Sequence, residues 1–223
     1  MYLPLAMNPK QRAHKPPSPQ ACPERSRRAP AWGNTRPRRR IKGSKKAHAG
    51  YLFISGSVHR RIPIFRYEIP HKIFLQALEA YRRKYGFRLH AYALMPDHYH
   101  LLLWFPSDRK LVDFLRDFKS LVGKQVVEWL QTEKLTRLLA RFRLKSTPRR
   151  QKDARYCILQ YNSHVKALSG SRALRRTIGY IHLNPVRERL AAAPEGYAYS
   201  SARAYTSKGS SVVKTDRLEL PYD

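Results

Sequence analysis

The chain has 223 residues and carries 45 Lys+Arg against 15 Asp+Glu, a formal net charge of +30 that marks a polyanion as its partner. A hydrophobic content of 42% excludes a wholly disordered polycation, and no apolar run approaches the ~18 residues of a membrane-crossing helix. Only Cys22 and Cys157 are present, without the paired spacing of a zinc site or a disulfide framework. The start of the chain lacks the apolar core of a secretory leader, so a cytoplasmic, nucleoid-associated protein is the default expectation.

Residues 1–50 combine half of the 16 prolines with many cations and a single acid, Glu24. Such a segment cannot build a core and predicts a disordered basic arm. Arg38, Arg39 and Arg40 are its candidates for phosphate contacts, although a dispensable extension has the same composition. The folded part is expected over 51–205, followed by a tail over 206–223. Tyr51–Val58 reads as a strand, with Gly56 marking a bulge or a close approach. Phe74, Leu75, Leu78 and Tyr81 recur at helical spacing in a helix over 71–85 that Gly86 closes. Phe87–Met95 and His98–Phe105 read as two strands joined at Pro96-Asp97 into a hairpin.

A second helix starts at Pro106-Ser107-Asp108, with Ser107 as its N-cap. Its apolar face, Leu111, Phe114, Leu115, Phe118, Leu121, Val122, Trp129 and Leu130, suits a helix lying on a sheet. The stretch 132–155 turns basic and includes Arg149 and Arg150, a second candidate for phosphate contact or else a solvated linker. Tyr156–Tyr161 suggests a short strand. A third helix runs over 171–184, capped by Ser169 or Ser171 and limited by Pro185. The order of elements predicts an α+β fold: a ferredoxin-like antiparallel sheet with helices on one face.

Two groups of residues carry chemistry. In a strand, positions i and i+2 share a face, so His98 and His100 point one way and Tyr99 the other. Two imidazoles at that spacing can converge on one divalent ion, although such a pair is more often simply two hydrogen-bonded polar groups. Tyr180 and Asn184 lie four apart on a helix and share a side with Arg176, while Arg187 follows the proline. A tyrosine hydroxyl is a poor nucleophile until its proton is drawn off or its target is activated. The plain alternative makes Tyr180 a rim aromatic and Asn184 a residue before proline.

The segments Ala91-Tyr92-Ala93-Leu94-Met95-Pro96-Asp97-His98-Tyr99-His100-Leu101-Leu102-Leu103, Gly179-Tyr180-Ile181-His182-Leu183-Asn184-Pro185-Val186-Arg187 and Glu195-Gly196-Tyr197-Ala198-Tyr199-Ser200-Ser201-Ala202 resemble three ordered motifs of the single-tyrosine HUH transposases, specifically their REP-associated branch. The resemblance spans about Tyr51 to Tyr205. It implies an HUH endonuclease fold, Mg²⁺ or Mn²⁺ as cofactor, and nicking of single-stranded or hairpin DNA by a monomeric enzyme. It places His98 and His100 at the metal positions and Tyr180 at the nucleophile, with Asn184 as candidate third ligand. The implied reaction is strand transfer through a 5′-phosphotyrosine, with Arg176 or Arg187 steadying the developing charge. Two departures stand out. Asp97 occupies a position where the family commonly has Asn. Glu188-Arg189-Leu190 replaces the frequent Ala-Gly-Leu after the tyrosine helix. A binding module of the same fold that has lost cutting, and a basic ribosome-associated protein, are the rival readings.

Overall fold

The computed structural model describes residues 50–144, 155–206 and 209–218. The proposed contacts at Arg38, Arg39, Arg40, Arg149 and Arg150 lie outside the described residues. The elements, in order, are β1 (Gly50–Ser57), α1 (Glu68–Tyr85), β2 (Arg88–Leu94), β3 (His98–Phe105), α2 (Asp108–Thr132), α3 (Thr136–Arg141), β4 (His164–Leu168) and α4 (Ser171–Arg187). The sheet order is β2-β3-β1-β4 and every pairing is antiparallel, the ferredoxin-like arrangement expected from the sequence.

Strand alternation divides the side chains between two faces. Leu52, Ile54, Tyr99, Leu101, Leu103 and Phe105 turn towards α1 and α2, where they meet Phe74, Leu78, Phe114, Phe118 and Val122 in the main core. Phe114, Phe118, Val122, Val126 and Leu130 recur every fourth residue, so α2 presents one unbroken apolar stripe to the sheet. Gly86 closes α1 in the left-handed conformation (φ 68°), as its position at the helix end suggests. The pair of helices on one face is therefore α1 and α2. The third helix expected from the sequence, α4, packs on the opposite face, where Leu174, Ile178 and Ile181 meet Ala91, Ala93, Met95 and Leu102.

Three local expectations change. Tyr156–Tyr161 forms no regular strand and contributes only isolated bridges, Arg143 with Tyr156 and Val58 with Leu159. The fourth strand is His164–Leu168 instead, paired on the outer edge of β1. Gly170 (φ 83°), neither Ser169 nor Ser171, takes the N-cap position of α4. The same helix continues through Pro185 to Arg187, although the proline removes one backbone donor. Arg189 then adopts the left-handed conformation (φ 57°) in which glycine is favoured, and the Leu190 amide donates back to the Pro185 carbonyl. The turn forms with arginine where a glycine would be less strained.

The chain after α4 seals the β2 edge. The Leu94 amide donates to the Tyr199 carbonyl and the Ser201 amide to the Tyr92 carbonyl. Two buried histidines hold this segment: His71 stacks on Tyr199 with 3.6 Å between ring centroids, and His182 Nε2 lies 2.8 Å from Ser201 Oγ. Burial pushes both imidazoles down to about 4. Because their folded values lie below the unfolded value of about 6.5, the unfolded chain takes up protons in that interval. Their stabilisation is complete above about pH 6.5 and declines as the pH falls towards 4. Denaturant titrations at pH 7 and pH 5 should show a loss on the order of 2 kcal/mol at the lower pH, smaller in a His71→Phe variant.

Candidate active site

The site is built at the end of the sheet where β1 finishes and β3 begins. The Met95 amide bonds the His98 carbonyl across the Pro96-Asp97 turn. The segment after β1 pins the turn from outside, with the Val58 amide donating to the Asp97 carbonyl and the Phe65 amide to the Pro96 carbonyl. His98 and His100 are buried and face α4, their ring centroids 5.0 Å apart and nearly perpendicular. Tyr99 points to the other face, wholly buried, with its ring 4.9 Å from that of Phe74. Burial raises its hydroxyl to about 12, which removes it as a nucleophile.

Tyr180 is 37% exposed and its ring centroid lies 5.4 Å from that of His100. Phe53 touches both, stacked on His100 at 5.6 Å and edge-on to Tyr180 at 5.9 Å. The Arg187 guanidinium lies over the Tyr180 ring, 5.5 Å from its centroid. Arg176 is exposed one helical turn before Tyr180. Asn184 is buried, and its Nδ2 donates to the Tyr180 carbonyl over 2.6 Å, leaving Oδ1 as its remaining ligand atom. Ring contacts thus link His98, His100, Tyr180 and Arg187, while Asn184 is tied to the Tyr180 backbone within the same helix.

The histidine pair suits a divalent ion. His98 Nδ1 lies 2.7 Å from Asp97 Oδ1; a carboxylate only accepts, so Nδ1 carries the proton and Nε2 is left as the donor atom for a cation. His100 Nδ1 is buried and has no hydrogen-bond partner in the protein, an orphan that a cation would satisfy. Burial first, then the neighbouring His98 and Arg61, push His100 down to about 3, which keeps it neutral and able to ligate. Among the described residues no third His, Cys, Asp or Glu completes the pair.

Asp97 and Arg61 extend the site beyond its motif. The second oxygen of Asp97 receives Arg61 Nε at 3.0 Å, and Arg61 Nη1 donates to Ser57 Oγ at 3.2 Å. Arg60 and Arg61 both hold left-handed backbone angles (φ 53° and 55°), a conformation costing roughly 1 kcal/mol or more for a side chain of this size. No spacing rule flags Arg61, because the contact joins the turn after β1 to the β2–β3 hairpin.

Residues 51–139 match the sequence model of the IS200-like transposases, a span that includes both histidines and ends before the tyrosine helix. No curated protein matches the chain. Among solved structures, a REP-associated tyrosine transposase bound to a REP hairpin is 16% identical, with a TM-score of 0.52 over 82% of this chain and 98% of that one. A protein from Deinococcus radiodurans R1 described as a transposase is also 16% identical, with a TM-score of 0.41 over 63% of this chain and 94% of that one. The first of these likenesses shows that the fold is shared over most of the chain. Residues 51–139 therefore match the IS200-like transposase family, the kinship that the histidine motif within that span implied.

Proposed function

We propose that the protein cuts and rejoins single-stranded DNA through a covalent 5′-phosphotyrosine, with Tyr180 as nucleophile and a divalent cation held by His98, His100 and Asn184. The observation that carries this reading is the placement of Tyr180 beside His100 on one face of the sheet. When bound, Mg²⁺ or Mn²⁺ would withdraw charge from a non-bridging oxygen of the scissile phosphate. Tyr180 Oη attacks phosphorus, the bond to the 3′-oxygen breaks, the phenol proton passes to water and the departing oxygen gains one. One phosphodiester replaces another, so the step is reversible and rejoins ends without a nucleotide cofactor. Arg187, beside the phenol ring, steadies the negative charge that develops there. Hairpin DNA is the preferred substrate on the analogy of the REP-bound relative, whose fold the chain shares.

Incubation with labelled single-stranded DNA and Mn²⁺, followed by a denaturing gel, tests the reading. A slow, EDTA-sensitive band is expected; binding without that band supports the non-cutting module.

The same reading gives Asp97 and Arg61 a positioning role: Arg61 fixes the carboxylate, and the carboxylate fixes the His98 ring and its tautomer. Asp97→Ala should weaken Mn²⁺ binding about 10- to 100-fold, read by titration of the free-ion electron paramagnetic resonance signal. Arg61→Ala should weaken it less, since Asp97 retains its own contact with His98. Equal affinities in all three proteins would remove both residues from the role.

A further inference from the structure

The face of the sheet that carries His100 and Tyr180 is only half covered. α4 packs over β2 and β3, and Tyr180 leans from it across Phe53. The remaining half belongs to β1 and the edge strand β4. Ser55 stands opposite His100 on β3 and opposite His164 on β4; Phe53 stands opposite Leu102 and Lys166 in the same way. Directly paired residues of antiparallel strands point to one face, so His164 and Lys166 share the face of His100 and Tyr180. Two strand spacings put them about 10 Å from the histidine row. Both are exposed, whereas Phe53 and Ser55 between them and the site are half-buried.

The sequence that supplies β4 and α4 carries charge of one sign. From Tyr156 to Arg187 the sequence contains no Asp or Glu, while Lys166, Arg172, Arg175, Arg176 and Arg187 are all cationic. The surface thus runs from the nucleophile, over an aromatic ring, to a basic edge. This suits a single nucleic-acid strand, which pairs phosphates with cations and bases with aromatic faces. We infer that the β4 edge, through Lys166 and His164, holds phosphates of the nucleotides flanking the one to be cut. The inference rests on the strand-cutting reading and adds to it the path the strand takes away from the site.

The test uses the full chain and an unstructured, fluorescein-labelled oligodeoxynucleotide, with binding followed by anisotropy across a salt series. Lys166→Glu is expected to weaken binding roughly fivefold or more, and Lys166→Gln to lower the salt slope by about 0.7, the loss of one phosphate contact. Lys124→Glu, an exposed position on α2 across the sheet, controls for net charge alone. At saturating oligonucleotide the Lys166 variants should regain the wild-type yield of covalent adduct, because Tyr180 and the histidines are untouched. Affinity unchanged in both Lys166 variants, or weakened equally by Lys124→Glu, would overturn the lane. Absence of adduct from the wild-type protein would refute the cutting reading instead, while a selective loss of binding in Lys166→Glu would still support this path.

Discussion

Tyr180→Phe is expected to abolish the covalent adduct, a loss of at least about a thousandfold, while leaving DNA affinity, Mn²⁺ affinity and stability close to wild type. The expectation follows from how the side chain sits. Its ring contacts His100, Phe53 and Arg187 through carbon and π-surface, which phenylalanine preserves, and its hydroxyl is the only group removed. A 37% exposed position tolerates that deletion within about 0.5 kcal/mol. Tyr99→Phe is the informative companion: that hydroxyl is buried on the other face, 3.4 Å from Ser163 Oγ, and its removal should leave adduct formation intact. His100→Ala, in contrast, should lose the adduct and weaken Mn²⁺ binding together. An adduct that persists in Tyr180→Phe would transfer the chemistry to another phenol, and Tyr161, 66% exposed, would be the first to test.

The parts of this site that sequence made legible are those encoded by short periodicities. A two-residue alternation put His98 and His100 together and Tyr99 apart; a four-residue spacing put Tyr180 and Asn184 on one side of a helix. β4 was not legible in this way. His164–Leu168 has only Val165 and Leu168 half-buried, so its sequence carries little apolar alternation, and it becomes a strand because β1 offers an open edge. Tyr156–Tyr161 has the stronger local pattern, yet its partners allow only isolated bridges. Arg61 escaped for a similar reason: its worth lies in reaching Asp97 across two connections, and its left-handed backbone has no signature in an Arg-Arg pair. Pro185 misled because the helix tolerates one missing donor when both ends of its last turns are packed and closed by Leu190. The tail motif was recognisable as a pattern, but its purpose, tying α4 to the β2 edge through His182 and Ser201, required the fold.

Gly56→Ala should be the most damaging single-methyl change in the described sheet, at about 1–3 kcal/mol. Gly56 pairs with Tyr99, and a Cβ there would fall inside van der Waals distance of the tyrosine's ring carbons and hydroxyl. The ring has no room to retreat, since Phe74 and Phe118 pack against it at 4.9 and 6.4 Å. Relief must come from β3 itself, and Tyr99 lies between His98 and His100. The substitution should therefore weaken Mn²⁺ binding as well as lower the denaturation midpoint, a coupling that an ordinary core defect elsewhere would not show. A second-site change isolates the cause. Tyr99→Leu creates a cavity alone, but in the Gly56→Ala background it removes the atoms that clash, so the double variant should be more stable than the sum of the two losses by at least about 1 kcal/mol. Strict additivity in that cycle would mean that the close approach of Gly56 to Tyr99 does not set the geometry of the histidine pair.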